Sequence, residues 1–328
     1  MTGIAVIGTG MWAPRLAAAA GRADLELVTC FSRDEARRRE FAERFGCRPA
    51  TSLQDAIGDP RVEGVVLATP NDVHHEQAIA CAQRERHVFV EKPIADTIAA
   101  AESMRDACTT AGVVLMVGHA FRRLGAARRA KALLEEGALG DVVLAEANFS
   151  LPGKLPPQAW RAHRERNPGG PLMQLGIHHA DTLAYWLGPV RRTTGRFAHV
   201  HTGADIDDVG VATLEFASGA LGVLTGSYVS PHTFSLRLLG SAGVLDCRAA
   251  LAGVWPAAER VDEVTTLTLD GEPVAFEAND MLAAELAEFG AAIRGEAAVE
   301  TGAKEGIAAL RVVLDAVGEP VPPAPAAA

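Results

Sequence analysis

The first 120 residues alternate short apolar runs with segments of helical character. The apolar runs carry Val, Leu and Ile on successive positions, as strands do when both faces of a sheet are covered. Five strands are predicted in this part of the chain: GIAVIG, LELVTCF, VEGVVLATP, HVFVEK and GVVLMVGH. Because helical segments separate them, the pattern predicts an α/β domain with a doubly wound parallel sheet.

The pattern changes after residue 120. One helix and the strand DVVLAEANFSL lead into a Pro-rich loop, and a helix is predicted from about 172 to 187. Residues 190–275 then hold several long strands with a tight turn at ASGA, which predicts an open, mostly antiparallel sheet. Two helices, at about 280–294 and 303–317, close the chain.

These patterns divide the chain into two domains and a tail. We expect a dinucleotide-binding domain at residues 1–120 and a second α/β domain, for substrate binding and oligomerisation, at residues 121–318. The remaining segment, residues 319–328, is rich in Pro and Ala and is expected to be disordered.

The composition excludes several classes of protein. The 328-residue chain has a net charge of −10 and no basic patch rich in aromatic residues, so we expect no nucleic-acid partner. No apolar run is long enough to span a membrane, and a strand begins at the N-terminus, so we expect a cytoplasmic protein without a membrane partner. The five cysteines lie far apart, without a CxxC pair, and are expected to be reduced.

A glycine-rich turn follows the first strand. In GTGMWA, Gly8, Gly10 and Ala13 have the spacing of the G-x-G-x-x-G/A fingerprint, between a strand and a helix. Gly8 permits the tight turn, Gly10 lets the backbone approach a pyrophosphate, and Ala13 permits close helix–strand packing. The alternative is a plain glycine turn. In this position we favour dinucleotide binding, with Met11 and Trp12 as part of the cofactor site.

The end of the second strand bears on the choice between NAD and NADP. An acid that holds the ribose 2′-hydroxyl is expected there, but the chain has Ser32 and Arg33, with Arg37 and Arg38 one turn later. A hydroxyl with guanidinium groups suits a 2′-phosphate better than a bare ribose. The alternative is a solvated, Arg-rich helix face. We slightly favour NADP over NAD as the cofactor.

Polar residues also follow the strand VEGVVLATP. Thr69, Pro70 and Asn71 lie at the sheet edge where doubly wound folds bind ligands. His74 and His75 begin the next helix, and two adjacent histidines cannot both face one ligand. We assign His74 to the cofactor cleft, and for His75 we favour local packing at a solvated helix end.

Lys92 departs from the habit of the chain. The basic residues are 27 Arg and 4 Lys, and Lys92 is the only lysine before Lys131. It ends the strand HVFVEK at the same edge as the glycine turn, where the nicotinamide is expected, and a compact ammonium can donate a proton or shift its pKa. Glu91 is assigned to the cofactor site with it. Pro93 rigidifies the turn and is compatible with a cis peptide bond. The alternative is a surface lysine that ends a strand.

The segment GGPLMQLGIHHADTLAYWLG contains a second set of polar residues. If it is helical, Gln174, His178 and Asp181 lie at i, i+4 and i+7 on one face, while His179 points elsewhere. An amide, an imidazole and a carboxylate in line can handle protons, with His178 as the acid or base. The alternative is a polar helix face. Adjacent histidines do not converge on one ion, so no metal site is expected.

Four motifs together resemble one family. GTGMWA, ATPNDVHHEQA, VEKPIA and GIHHADTLAYWLG, in this order and spacing, are similar to the glucose–fructose oxidoreductase and inositol dehydrogenase family. The resemblance covers nearly the whole chain. It implies an N-terminal Rossmann domain and a C-terminal domain whose sheet often packs against another subunit, as in a homodimer or homotetramer. It also implies hydride transfer between NAD(P) and a carbinol carbon of a sugar, a cyclitol or a related polyol.

The resemblance assigns roles to single residues. Lys92 corresponds to the family lysine near the reacting oxygen, and His178 corresponds to the acid/base histidine. Trp160 and Arg161 resemble the WR pair that often approaches the nicotinamide end of the cofactor. Many members have an aspartate where this chain has Gln174, which puts the usual proton relay in doubt. In GHAFRR, His119 replaces a more usual asparagine.

We expect an NAD(P)-dependent oxidoreductase that acts on a secondary alcohol or ketone of a polyhydroxylated substrate. One alternative is a regulator that keeps the fold and senses NAD(P) or a sugar. Gln174 gives this alternative some weight, and Lys92 with His178 argues against it. Another alternative is an enzyme that uses tightly bound NAD as an internal redox relay.

Overall fold

The computed structural model describes residues 1–153, 155–156, 158–252 and 258–318. Its first sheet has six parallel strands in the order β3-β2-β1-β4-β5-β6. The strands are β1 Thr2–Ile7, β2 Leu25–Phe31, β3 Arg48–Pro49, β4 Gly64–Leu67, β5 His87–Glu91 and β6 Leu115–Gly118. The strand order reverses direction between β1 and β4, and ligands of doubly wound folds bind outside the carboxyl ends of the strands at this point.

Five helices connect these strands. They are α1 Ala13–Arg22, α2 Glu35–Phe45, α3 Leu53–Ile57, α4 His74–Ala82 and α5 Ile98–Ala111. Side-chain caps define the starts of α2, α3 and α5, as at Asp34, which accepts from the Arg37 N–H. Gly46 and Gly112 end α2 and α5 in the left-handed conformation that glycine tolerates best.

Within its described residues, the second part of the chain adds an eight-stranded sheet and four helices. In chain order its elements are α6 Gly125–Glu135, β7 Val142–Ser150, α7 Ile177–Leu187, β8 Val190–Ala198, β9 Val209–Phe216, β10 Leu221–Ser227, β11 Thr233–Gly240, β12 Val244–Ala249, β13 Thr265–Leu269, β14 Glu272–Pro273, α8 Met281–Ile293 and α9 Ala303–Val317. Short 3-10 helices lie at Asn71–Val73, Ala120–Arg123, Trp160–Ala162 and Ala258–Val264, and a π-helical turn lies at Leu172–Gly176.

The second sheet has the order β14-β13-β12-β11-β7-β10-β9-β8 and is antiparallel except where β7 and β10 pair in parallel. Strand β9 alternates between a buried face and an open face: Gly210, Ala212 and Leu214 are buried, whereas Val211 and Thr213 are exposed. Helices α7 and α9 lie on the buried face. The open face remains available for association.

One C-terminal helix returns to the first sheet. Phe289 of α8 contacts Phe89 of β5, with ring centroids 5.8 Å apart, and both rings are fully buried. Gly64 in β4 is needed for this approach, because a Cβ there would lie 2.9 Å from the Phe289 ring. Burial of a side chain of this size contributes about 1.5–3 kcal/mol. The first sheet is therefore packed against a helix from the second part of the chain.

The architecture confirms the predicted fold class. The two-residue strand β3 was not predicted, since it is too short to give a period. The predicted helix at 172–187 begins with the π-helical turn, which changes the relative directions of its side chains. No helix among the described residues has the length and apolar character to cross a membrane. The predicted disordered tail, residues 319–328, lies outside the described residues.

Candidate active site

The glycine turn leaves room for a cofactor at the start of α1. Gly8 has a φ of 92°, and a Cβ there would lie 2.6 Å from the Ala68 carbonyl oxygen, so only glycine fits. At Gly10, by contrast, an added Cβ would meet no atom within 4 Å and would project into open space. Ala13 is fully buried under the turn. The residues present therefore fit a dinucleotide whose pyrophosphate lies against Gly10 and the helix N-terminus.

Trp12 connects this turn to the end of β5. Its indole Nε1 donates to Glu91 Oε1 at 2.7 Å. Burial raises the pKa of Glu91 to about 7, and the neighbouring Lys92 ammonium opposes this rise. The contact fixes the indole at the mouth of the cofactor site. It also leaves Glu91 as a carboxyl group that is only partly ionised near neutral pH.

The end of β2 meets the glycine turn through hydroxyl groups. Thr9 donates to Ser32 Oγ at 2.8 Å, and Ser32 in turn donates to the Asp34 carbonyl at 3.1 Å. The Ser32 hydroxyl is thus already engaged, whereas Arg33 and Arg37 are exposed to solvent. Arg37 forms an exposed ion pair with Asp34 at 3.4 Å.

A cavity of about 280 Å³ lies next to these residues, between the glycine turn and α2. Its lining includes Gly10, the exposed Met11, Arg37 and Arg44. Arg44 was missed by the sequence reasoning. It lies two helical turns after Arg37, and that spacing was the signal that could have identified it.

The edge after β4 is held by His74. Its ring nitrogens lie 3.0 Å from the Thr69 carbonyl oxygen and 3.1 Å from the Pro93 carbonyl oxygen, and the ring is buried. His74 was predicted to line the cofactor cleft. The structure corrects this prediction. Both ring nitrogens contact backbone carbonyls, and the ring thereby joins the turns after β4 and β5. The neighbouring His75 contacts Ser103 on α5, as local packing requires.

Asn71 is the polar residue of this edge that remains available. Its side chain is buried, and neither amide atom has a hydrogen-bond partner among the described residues. An unpaired buried amide is costly, so a ligand group is the natural partner. Thr69 differs, because its hydroxyl donates to Gln77 Oε1 at 2.7 Å. Pro70 lies between them, at the start of the short 3-10 helix.

Lys92 reaches from the first sheet to the second part of the chain. Its Nζ donates to the backbone carbonyl of Gln174 at 2.9 Å. Burial lowers its pKa to about 8, with Glu91 acting to raise the pKa and the Arg161 guanidinium acting to lower it. The Lys92–Pro93 peptide bond is cis. An ammonium with this pKa can both stabilise an oxyanion and exchange a proton near neutral pH.

Lys92 contacts the π-helical turn that precedes α7. Gln174 lies within this turn, and its backbone carbonyl accepts from the lysine ammonium. The Gln174 side chain turns to other partners: Oε1 accepts from Arg161 Nε at 3.3 Å, and Nε2 donates to Asn167 Oδ1 at 3.1 Å. Asn167 is fully buried and was missed by the sequence reasoning, since no motif contains it.

The WR pair lies beside this group. The Arg161 guanidinium stacks on the Trp160 ring, with its Cζ 4.5 Å from the ring centroid. Burial lowers the pKa of Arg161, and the nearby Tyr228 and Glu91 oppose the decrease. The structure thus brings Arg161, Gln174 and Lys92 together at the carboxyl edge of the first sheet.

Two buried histidines complete the site. His178 packs on Phe121, with ring centroids 4.5 Å apart, and its Nδ1 has no partner among the described residues. Burial lowers the pKa of His178 well below its ordinary value, and Lys92 and His119 lower it further. His119 is also buried, without a partner for either ring nitrogen in the described part of the chain, and burial lowers its pKa to about 4. Both imidazoles are neutral at pH 7 and are available to a ligand.

Asp181 is not part of a proton-handling row. Its carboxylate forms a buried bidentate pair with Arg122, at 2.9 Å to Nε and 2.5 Å to Nη2. This corrects the predicted alignment of Gln174, His178 and Asp181. The Gln174 side chain binds Arg161 and Asn167, and the Asp181 carboxylate pairs with Arg122, which is distant in the sequence. The residue positions Arg122 and the helix that carries His178.

Comparison with known proteins agrees with this geometry. Residues 2–119 match the oxidoreductase family with an NAD-binding Rossmann fold, and residues 127–246 match the GFO/IDH/MocA C-terminal domain. The chain belongs to the GFO/IDH/MocA family. The resemblance inferred from the motifs is confirmed. Relatives with assigned activities include a 1,5-anhydro-D-fructose reductase, a scyllo-inositol 2-dehydrogenase and a 2,7-anhydro-N-acetylneuraminate hydratase.

Three relatives indicate how similar this GFO/IDH/MocA protein is to known members. The crystal structure of a protein described as an NADPH-dependent oxidoreductase from Desulfitobacterium hafniense is 34% identical, with 96% of this chain and 94% of that chain covered and a TM-score of 0.92. An uncharacterized oxidoreductase from Streptococcus pneumoniae is 32% identical over 73% of this chain and 66% of its own length. The 1,5-anhydro-D-fructose reductase of Ensifer adhaerens is 27% identical over 89% of this chain and 88% of its own length.

Proposed function

We propose that this protein transfers hydride between NAD(P) and a secondary alcohol or ketone of a sugar, a cyclitol or a related polyhydroxylated substrate. The observation that carries the proposal is the contact of Lys92, at the carboxyl edge of the first sheet, with the π-helical turn that leads into the helix of His178. Lys92 is bound to the carbonyl one turn before His178, and its charge lowers the pKa of His178. The reductase from Ensifer adhaerens, named for a sugar ketone, supports this substrate class.

In the oxidative direction His178 takes the hydroxyl proton. Its neutral state at pH 7 makes it a competent base, and its buried position excludes water from the transfer. Lys92 stabilises the developing oxyanion, and its pKa of about 8 lets it pass the proton onward. The nicotinamide of the bound cofactor supplies the hydride acceptor. In the reverse direction protonated His178 acts as the general acid.

The remaining side chains of the site bind the cofactor or position the catalytic residues. Gln174 and Asn167 hold Arg161 over Trp160, and we assign the WR pair and Asn71 to the nicotinamide end of the cofactor. Asp181 positions the helix that carries His178, through Arg122.

We further propose that NADP is preferred over NAD. Arg33 has no ion-pair partner within the described residues, and Arg37 and Arg44 line the cavity beside the glycine turn. Guanidinium groups at this edge favour a 2′-phosphate. The Ser32 hydroxyl is already hydrogen-bonded to Thr9 and to the Asp34 carbonyl. Ser32 therefore contributes to cofactor binding mainly by its position at the end of β2.

Association through the open face of the second sheet is part of the proposal. Val211 and Leu221 are 39% and 54% exposed on that face, beside the partly exposed Val223 and Leu144. Large apolar side chains next to one another are typical of interfaces. A homodimer or homotetramer would cover them, and a sedimentation mass equal to one chain at micromolar concentration would contradict this. A cytoplasmic location stays a prediction.

The test of the function is a screen of sugars, cyclitols and their keto forms with both cofactors, followed through the absorbance of the reduced nicotinamide. We expect turnover with at least one substrate and loss of that turnover in Lys92→Ala. A protein that retains its cofactor through purification, with no net turnover of added NAD(P), would favour the internal redox relay. Binding without any turnover would favour the regulator.

A further inference from the structure

Two cations at the active site share one neutral residue as their acceptor. Lys92 Nζ donates to the Gln174 carbonyl at 2.9 Å, and Arg161 Nε donates to the Gln174 side-chain oxygen at 3.3 Å. Neither cation forms an ion pair with a carboxylate among the residues that the structure describes. Both amide groups of Gln174 are neutral, so no formal charge offsets the cations there.

The nearest acid offsets this charge only in part. Glu91 influences both Lys92 and Arg161, but Trp12 binds its carboxyl group and burial raises its pKa to about 7. The ring nitrogens of His119 and His178 bring no negative charge. Tyr228 is buried with its hydroxyl bonded to the Gly170 carbonyl, and burial raises its pKa, so it stays neutral.

The guanidinium of Arg161 keeps its donors for a ligand. Only Nε has an acceptor in the described part of the chain, which leaves both Nη groups open. The contacts of Gln174 with Asn167 and of Arg161 with Trp160 hold the guanidinium in place. A planar, preorganised guanidinium with open donors fits a carboxylate.

We propose that the substrate carries a carboxylate, which pairs with Arg161 beside Lys92 while a neighbouring carbinol carbon reacts. The substrate class is a polyhydroxylated acid, such as a uronate or an aldonate, and a neutral sugar is the poorer substrate. The inference rests on the proposed function, which it deepens by naming the charge of the substrate. Its physical basis is that partly buried cations without a counter-ion gain from a ligand that supplies one.

The first experiment compares substrates that differ only in this charge. The pairs are D-glucose with D-glucuronate and D-galactose with D-galacturonate, and D-gluconate is added as an open-chain acid. A charge-assisted contact favours the acid by about tenfold or more in kcat/KM. A higher kcat/KM for the neutral member of both pairs overturns the inference.

Variants then test whether Arg161 is the residue responsible. Arg161→Met removes the charge with little loss of volume and is expected to abolish the preference for the acid. Gln174→Glu places a carboxylate against Arg161 Nε and is expected to weaken the preference in the same direction. Gln174→Met is its uncharged control. A preference that survives both Arg161→Met and Gln174→Glu overturns the inference, and the second variant keeps the test valid if the first does not fold.

The cofactor provides the competing explanation for Arg161. If the guanidinium serves a phosphate of the cofactor, Arg161→Met weakens NADP binding about tenfold or more and leaves the ratio of acid to neutral substrate unchanged. That result contradicts the proposal that Arg161 pairs with a carboxylate of the substrate.

A binding measurement separates this inference from the proposed function. The complex with NADP is titrated calorimetrically with the sodium salts of the three acids at constant ionic strength. Binding that Arg161→Met removes, without turnover of any compound, supports the inference and contradicts the oxidoreductase function. Turnover of neutral sugars, with no binding and no turnover of the acids, keeps the function and overturns the inference.

Discussion

Two sets of cations, one buried and one partly buried, lie at the junction of the two sheets, and their charges are satisfied in opposite ways. Arg122 and Arg123, in the 3-10 helix after β6, each form a buried ion pair, with Asp181 and with Glu288. Lys92 and Arg161, which lie nearby, have only neutral oxygens of Gln174 as acceptors. The first set is closed by the protein itself, whereas the second set is left open to a ligand.

The difference separates structural charge from functional charge. A buried pair that satisfies its own charge fixes the position of the elements that carry it, and breaking it costs several kcal/mol. A cation with neutral acceptors has a lowered pKa and can respond to a bound group, as the pKa of Lys92 at about 8 indicates. Variants of the first set should therefore lower the free energy of unfolding, whereas variants of the second set should lower the reaction rate.

The largest effect is expected at the open set. Lys92→Ala and His178→Ala should each lower kcat by about 10²–10⁴-fold, because each removes a positioned acid/base group. The binding of NADP and the unfolding midpoint should change little. Lys92→Arg should also be poor, since a planar fork cannot replace a compact ammonium. Lys131→Ala and His75→Ala, on exposed or partly exposed surfaces, are the controls. A kcat close to that of the wild type in Lys92→Ala or in His178→Ala would refute the catalytic role of the substituted residue.

The closed set should fail in stability instead. Asp181→Asn leaves the Arg122 charge buried without a counter-ion and should lower the free energy of unfolding by about 3–5 kcal/mol. The double variant Arg122→Met with Asp181→Leu should recover most of this loss, because it removes both charges. Urea unfolding monitored by circular dichroism measures the effect. Glu35→Gln, which breaks an exposed pair with Arg39, is the control and should cost less than about 1 kcal/mol. A fully stable Asp181→Asn protein would show that the pair is not structural.

The sequence could predict the open set better than the closed one. Lys92 and the glycine turn each follow a strand, and the carboxyl ends of parallel strands meet at one edge, so periodicity alone places them together. The partners of Asp181 and His74 depend on segments far away in the chain, and no local pattern reports them. For that reason the sequence pattern predicts a role in the active site for both residues. In the structure Asp181 pairs with Arg122, and His74 contacts the Pro93 carbonyl.

The π-helical turn is the other feature that the sequence did not reveal. A helix periodicity of 3.6 residues places Gln174 and His178 on one face, and the additional residue in the turn at Leu172–Gly176 changes this. The turn follows two glycines with positive φ, Gly169 and Gly170, which hinted at irregular backbone but not at its form. Gln174, which lies in this turn, contacts Arg161 and Asn167.

The preference for NADP is a smaller effect, at a third set of cations that is exposed. NADP should bind more tightly than NAD by about 1.5–3 kcal/mol, which is roughly tenfold or more in Kd. Arg33→Ala should remove most of this difference, and Arg37→Ala less of it, because Asp34 already pairs with Arg37. Arg39→Ala is the matched control, since Arg39 pairs with Glu35 on the same helix. Equal or tighter binding of NAD by the wild type, in fluorescence titrations, would remove the hypothesis.

The smallest effect is expected from Gln174→Asp. This substitution gives Lys92 and Arg161 a carboxylate, which the buried pairs of Arg122 and Arg123 already have. The introduced carboxylate would lie near Arg161, Lys92 and the helix that carries His178. An anion stabilises the protonated form of each titrating neighbour, so the pKa values of Lys92 and His178 should both rise.

Oxidation requires deprotonated His178, whose pKa lies well below its ordinary value in the wild type because of burial and the Lys92 charge. The acidic limb of kcat/KM should therefore move to higher pH, by about one unit or less, because Arg161 neutralises part of the introduced charge. Gln174→Asn shortens the side chain equally without adding charge and is the control. If residue 174 only orients a substrate hydroxyl, both variants raise KM and leave the limb in place. A limb that stays or moves to lower pH in Gln174→Asp, on a verified substrate, would disprove coupling between position 174 and His178.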